Sequence, residues 1–292
     1  MKKTNRLPNF LLICILVLFF MFFIIPMLSG AFISFTDWNG LSKDYTFIGL
    51  DNYFKMLTDY RFIDSFFVTI KYALVLLVCT LLLGYTSAKV VQKTQKAKSK
   101  LLFISFFPYI ITPVVSCILW NQIYISLIPS IGEILNSDFL KYNLLANKTT
   151  ALYAVTVVDL WMLVPYAMLL FLSSLNSIPK SILEHAKLEG ANTWKISTCI
   201  ELPYNMPTIG MLITVITSYA FTHIDTIMTL TSGGPGRVTE TLYYTIYKNS
   251  FLEQRYAYGL AEGLVVAIVS ILVFVLISCL TNNKNLESVT SE

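Results

Sequence analysis

Charge is what this sequence has least of. Only 13% of its 292 residues are Asp, Glu, Lys or Arg, about half of the roughly 25% typical of a soluble domain. Seventeen acidic and twenty-one basic groups cannot coat a folded body of this size. That excludes an ordinary cytosolic enzyme, a disordered protein and a nucleic-acid binder with a broad basic face. Paired cysteines are missing too. Cys14, Cys79, Cys117, Cys199 and Cys279 contain no CxxC spacing, their number is odd, and the two histidines, His185 and His223, lie far apart. A disulfide framework and a zinc site are therefore not expected, and all five read as free thiols. No G-x-x-x-x-G-K-[ST] run occurs, and Gly233-Gly234-Pro235-Gly236 lacks that spacing, so ATP hydrolysis by that route is excluded. No nucleophile–base constellation is visible, and no cofactor or metal is expected.

What is present in abundance is apolar surface: 55% of residues are hydrophobic and the mean hydropathy is +0.66. Six apolar runs of spanning length stand out at Phe10–Leu28, Phe66–Ala88, Leu102–Tyr124, Ala151–Leu172, Ile209–Leu230 and Leu260–Leu280. The first follows Met1-Lys2-Lys3-Thr4-Asn5-Arg6, which has the charge of a signal-peptide n-region. Its apolar stretch exceeds the usual length of about 7–15 residues and no clear cleavage site follows, so an uncleaved first span is the reading taken. Pro108 and Pro113 in the third run and Pro165 in the fourth break the backbone ladder where lipid offers no substitute. They suggest either a bundle with an interior pathway or simply kinked helices.

Basic residues orient the spans. The N-terminal tail carries three and no acid, and Lys89, Lys93, Lys96, Lys98 and Lys100 crowd a segment that also has no acid. The segment Thr36–Ser65 has three basic residues against five aspartates. The N-terminus and the lysine-rich segment are thus expected in the cytoplasm, and six spans return the C-terminus there, in a multi-pass protein of the cell (inner) membrane. In the second half the charges balance, and topology rests on the parity of the count.

One connector is too rich in structural signals to be only a connector. Ser173–Pro207 reads SSLNSIPKSILEHAKLEGANTWKISTCIELPYNMP. Ser181 and Glu184 have capping-box spacing, Pro179 marks a helix start, and Gly190 suits a helix end. Asn192 or Thr193 can cap a second helix, which Pro203 would stop. Two such short helices need a surface to pack on. An interfacial hairpin on the membrane and a docking element for another subunit both satisfy the pattern.

Within this stretch, Glu184-His185-Ala186, Gly190-Ala191 and Ile200-Glu201-Leu202-Pro203 resemble the cytoplasmic EAA loop of ABC-importer permeases, in particular the sugar branch related to the maltose and glycerol-3-phosphate permeases. Phe47-Ile-Gly-Leu-Asp-Asn-Tyr53, Phe107–Pro113, Leu175–Pro179 and the run from Asp225 through Leu230-Thr231-Ser-Gly-Gly-Pro235 to Thr239-Glu-Thr-Leu242 are similar to further segments of that family, in order along the chain. The resemblance implies an all-α integral membrane fold: a six-transmembrane-helix bundle of the ABC type I importer kind with cytoplasmic EAA coupling helices. It implies a first helix with its external connecting segment at 1–65, a five-helix permease core at 66–282 and a short cytoplasmic tail at 283–292. Glu184, Ala186, Gly190, Ile200, Leu202 and Pro203 are the positions implied to seat on an ATPase. Three residues depart from the family pattern: His185 replaces an alanine, Glu189 an aspartate, and Ser197 a common aromatic.

Charges inside spans are costly, about 2.5–3.5 kcal/mol each on insertion scales. Asp159, Asp225 and Glu262 are the ones to explain, with Lys71 near a span's outer end; they line a pathway or pair across helices. Sugars are held by aromatic faces and short polar groups. Tyr219 and His223 stand i, i+4 on the fifth run, and Met162 and Tyr166 do so on the fourth, beside Pro165. The family's sugar-contacting positions are implied to fall on these four residues and Leu163. With Asp225 they form the expected substrate pathway, while Trp120 and Trp161 read as packing or interfacial anchors. The function implied is that of a permease subunit in an ATP-driven carbohydrate importer. Its partners would be a second homologous permease, a cytoplasmic ABC ATPase dimer and an extracytoplasmic sugar-binding protein. The competing expectation is a proton- or ion-coupled secondary transporter that uses Asp159, Asp225 and Glu262; inverted repeats that would favour it are not evident.

Overall fold

Lipid offers the backbone no hydrogen-bond partners, so each apolar run has to close its own ladder. The structure, a computed structural model, describes residues 6–94 and 98–289, and the side chains of residues 11–94 and 99–275. The tail 1–5, Lys96 and residues 290–292 lie outside the described residues, as do the side chains of Lys98 and Cys279. The principal helices are α1 (Leu11–Ile33), α2 (Asp51–Thr58), α3 (Tyr60–Lys93), α4 (Lys98–Ile110), α5 (Pro113–Ile134), α6 (Ala151–Ser177), α7 (Lys180–Leu188), α8 (Thr193–Tyr204), α9 (Met206–Thr222), α10 (Asp225–Leu230), α11 (Leu242–Tyr247) and α12 (Tyr256–Val289). Five are long and apolar enough to cross a membrane, and α8–α9, bent by 68°, counts as a sixth if taken as one broken span. Among the described residues there is no named strand, only an isolated bridge between Thr36 and Phe47.

Two expectations need correction. The run Leu102–Tyr124 is not one helix: α4 ends at Ile110 and α5 begins at Pro113. Proline disfavours the helical region for the residue before it, and Thr112 is extended, with ψ at 145°. The run Ile209–Leu230 is also divided, because His223 is extended (ψ 133°) after α9 and Asp225 opens the short α10. Asp225 therefore sits at a helix start beside a break rather than inside a span. At the far end of the chain, α12 stays helical through Val289. Pro165, by contrast, lies inside an unbroken α6.

The chain divides into two compact units, residues 1–63 with 245–268 and residues 64–244 with 269–292. In the first, no residue in the α1 window is buried, as suits a helix apolar on all sides. The Gly49–Tyr53 segment gains a physical reason here. Gly49 adopts φ +60° ahead of α2, and the buried Asn52 amide donates to the carbonyls of Ser34 and Thr36, both at 2.8 Å. Outside the spans, the backbone N–H and hydroxyl of Thr46 bond to Asp37 and hold its carboxyl below the usual range. Glu262, buried in α12, accepts from the Asn249 amide at 2.8 Å and 2.9 Å.

The second unit has its core where α3, α6 and α9 meet: Tyr72, Leu76 and Ala88 from α3, Ala167, Met168 and Phe171 from α6, and Leu212 and Ile216 from α9. The buried face of α3 is a single stripe, Ser65, Thr69, Tyr72, Leu76, Thr80, Gly84, Ala88 and Val91, whose steps of three and four residues match the helical repeat. Small residues on that stripe let backbones approach, the usual device where lipid removes the hydrophobic drive between helices. A Cβ on Gly84 would stand 2.7 Å from the Ala167 Cβ and 3.3 Å from its carbonyl carbon.

Candidate functional site

The membrane-depth cluster is built around Asp159, which is fully buried. Its Oδ2 accepts from the Tyr72 hydroxyl of α3 at 2.6 Å and from the Thr226 hydroxyl of α10 at 3.1 Å. Its Oδ1 accepts from the Tyr219 hydroxyl of α9 at 2.9 Å. A buried carboxylate needs such partners, and here they come from three other helices. His223 leaves the helix yet stays beside Tyr219, their rings stacked with centroids 4.2 Å apart. Its Nε2 is buried without a hydrogen bond and lies 3.8 Å from Asp159 Oδ1. Asp225, half exposed, is 3.9 Å from the other His223 nitrogen.

The structure thus brings Tyr219, His223 and Asp225 together, with Asp159 behind them. The remaining pathway candidates are placed less openly. Met162 and Leu163 are buried, Leu163 inside the α3–α6–α9 core. Tyr166 has one ring face against Tyr109 of α4, 5.5 Å away and nearly parallel. Trp120 and Trp161 meet edge to face at 5.9 Å, as aromatic pairs in cores do. Two apolar grooves lie nearby, one between Thr214–Phe221 and Ser270–Phe274, the other against Trp120, Trp161 and Pro165. Neither is lined by Met162, Tyr219 or His223.

At the other end of α9 lies the two-helix connector. Helix α7 ends as Gly190 suggested: its φ is +80°, its N–H bonds to Lys187 O, and the Ala191 N–H bonds to Ala186 O. This is the paired closure that satisfies the last carbonyls of a helix. The capping box does not form, since α7 begins at Lys180 with Pro179 as its cap, which leaves Ser181 inside the first turn. Asn192 caps α8, its side chain accepting from the Lys195 N–H at 2.8 Å. Pro203 does not stop α8. A wide turn over Ser197–Glu201 precedes it, Leu202 stays helical, and the helix runs on to Tyr204 before the bend at Asn205.

The connector is exposed on one side. Glu184 and Gly190 lie in the open, no atom stands within 4 Å of a Cβ placed on Gly190, and Leu188 and Trp194 are 83% and 77% exposed. Ala186, Ile200 and Leu202 are half-buried, Pro203 is exposed, and Leu183 and Ile200 pack on the core. Sequence reasoning missed Glu201. It is 4% exposed and accepts from Lys89 Nζ on both oxygens (2.5 Å and 2.6 Å), from the Tyr85 hydroxyl at 2.7 Å and from Ser197 at 2.9 Å. Burial pushes its carboxyl up, but the bonds from Lys89, Tyr85 and Ser197 outweigh that and leave it below its usual value. The signal was present in the spacing: Tyr85 and Lys89 are i, i+4 on α3, and Ser197 and Glu201 are i, i+4 on α8.

No profile of a known protein family matches the chain, but individual relatives do. The multiple sugar-binding transport system permease protein MsmF of Streptococcus mutans is 34% identical over 265 residues, 91% of each chain. The chain belongs to the sugar-permease family of ABC transporters. The probable starch degradation products transport system permease protein AmyD of Thermoanaerobacterium thermosulfurigenes is 27% identical to this permease over 96% of its length and 93% of its own. Among solved structures, the permease matches a chain of a bacterial ABC transporter involved in the import of the acidic polysaccharide alginate. The TM-score is 0.82 at 17% identity, over 96% of both chains. The same fold recurs, at a TM-score of 0.82 and 18% identity, in an alginate ABC transporter in complex with an alginate pentasaccharide-bound periplasmic protein. The permease is therefore a multi-span transport subunit, and a secondary transporter run by Asp159, Asp225 and Glu262 is not favoured.

Proposed function

We propose that this permease forms, with a second homologous permease, the translocation path of an importer for a sugar or oligosaccharide. An extracytoplasmic binding protein delivers the solute, and a dimer of cytoplasmic ATPases supplies the energy through α7 and α8. The chain's own lack of a phosphate-binding loop supports an outside source of energy. Both termini and the α7–α8 connector face the cytoplasm. Glu184, Ala186, Gly190, Ile200, Leu202 and Pro203 form the docking and support surface, and Met162, Leu163, Tyr166, Tyr219, His223 and Asp225 face or shape the pathway.

The observation that carries this reading is the exposed side of the connector, with Leu188 and Trp194 left uncovered on helices too short to stand alone in water. The test is uptake by cells that make the complete importer. Glu184→Lys and Gly190→Trp should insert normally and yet lose most uptake. At Gly190 the reason is conformational, because an L side chain is strained at φ +80° even though the space is open. Unchanged uptake in both variants would overturn the coupling role.

A further inference from the structure

The Lys89–Glu201 cluster joins two elements with different tasks. Helix α8 carries the exposed connector surface at one end and meets α9 at its other. Helix α3 carries Tyr72, which bonds Asp159 in the membrane-depth cluster. The Glu201 carboxylate takes four donated bonds, three of them from α3. Its backbone carbonyl takes two more from Asn205, one from the side-chain amide at 2.6 Å and one from the backbone N–H at 3.0 Å. Asn205 is fully buried and sits at the 68° bend into α9. One residue is thus tied to α3 through its side chain and to the start of α9 through its backbone. The Lys89 side chain is itself only 17% exposed. A pair this enclosed holds its geometry better than a surface ion pair, and removing either partner strands the other.

We propose that Lys89 and Glu201 are a positioning pair for transport: they fasten the α7–α8 connector to α3, so that displacement of the connector reaches α3 and α9 together. This rests on the coupling role proposed above for α7 and α8. Neither residue touches solute, and the pair acts through the helices it joins. A part that only stabilised the fold would lower uptake and ATP hydrolysis alike. A part that transmits motion would separate the two.

The test uses the importer complex purified with its ATPases and reconstituted in lipid vesicles, carrying Lys89→Met, Glu201→Gln or Lys89→Arg. With Lys89→Met and Glu201→Gln, the ATPases should still copurify and ATP hydrolysis should stay within about twofold, while uptake per ATP falls at least about tenfold, within the range of ordinary coupling energies. Lys89→Arg, which keeps the cation and its donors, should restore most of the coupling. The proposal is overturned if Lys89→Met and Glu201→Gln transport as well as the parent, if uptake and hydrolysis fall in parallel, if both variants lose the complex altogether, or if Lys89→Arg couples no better than Lys89→Met. Glu184→Lys run alongside separates the two claims. If it leaves uptake intact, the coupling role of the connector fails; if it uncouples while both pair variants transport normally, the positioning pair alone fails.

Discussion

Asp159 and Glu201 are both carboxylates closed off from solvent, at 0% and 4% exposure, and they are held by different means. Asp159 takes uncharged hydroxyl donors only, one each from α3, α9 and α10. Glu201 takes two hydroxyls and a lysine. Adding a cation strengthens and shortens such bonds, so the α3–α8 contact is the firmer of the two. Bonds from neutral hydroxyls are each worth less, and a junction made of them can come apart stepwise. The two enclosed carboxylates thus differ in one respect, the lysine ammonium that Glu201 has and Asp159 lacks.

The sharpest way to break the contrast is Asp159→Leu. It strands the buried hydroxyls of Tyr72 and Thr226 at about 1–3 kcal/mol each, leaves the partly buried Tyr219 hydroxyl without its acceptor, and folded protein should be largely lost on size-exclusion chromatography in detergent. Asp159→Asn, which keeps an acceptor for them, should survive with a lowered melting temperature; equal behaviour of the two would show that the hydroxyls do not depend on this residue. Gly84→Leu comes next. It overpacks the α3–α6 contact against Ala167, costs about 1–3 kcal/mol, and should lower the melting temperature. An unshifted melting temperature would mean the two backbones separate freely.

Acid titration sharpens the other half of the contrast. The Glu201 carboxyl lies below its usual value near 4.5, so its stabilising contribution is fully present above that value and is lost as pH falls through the folded one. Thermal stability traced against pH should show an acid limb below about 4.5 that shrinks in Glu201→Gln. An identical limb in both proteins would assign it to other carboxyls. The smallest effect is expected from Tyr85→Phe, which removes one of the four bonds to Glu201 and costs about 1 kcal/mol. A larger loss than Lys89→Met produces would reverse the ranking of the hydroxyl and the cation.

Much of this was legible in the residues, and what was not has physical causes. Hydropathy finds spans because lipid demands continuous helices, and the apolar runs did become helices. Where it failed, at Thr112 and at His223, an apolar run spanned a backbone break; Pro113 marked the first, and no proline marks the second. Gly190 and Asn192 announced their roles because a left-handed residue and a side-chain cap are local requirements. Pro203 misled because its meaning depends on the wide turn before it, which no local rule provides. Tyr219 and His223 are together as expected, although by stacking across the end of a helix rather than along one. Lys89 reads as one of the charges that set topology, yet the structure uses it, half-buried, as the ion-pair partner of Glu201. Long-range pairs of this kind need the tertiary fold before their meaning can be read.

The bend at Asn205 has a mechanical meaning. Two rods that meet at 68° do not hand on a displacement unchanged. A slide of α8 along its own axis moves the start of α9 mostly sideways, and only a small part of it runs along α9. Under the coupling role proposed for the connector, a thrust delivered there would reach Tyr219, on the far part of α9, as a tilt rather than a piston stroke, with the corner at Asn205 changing its direction.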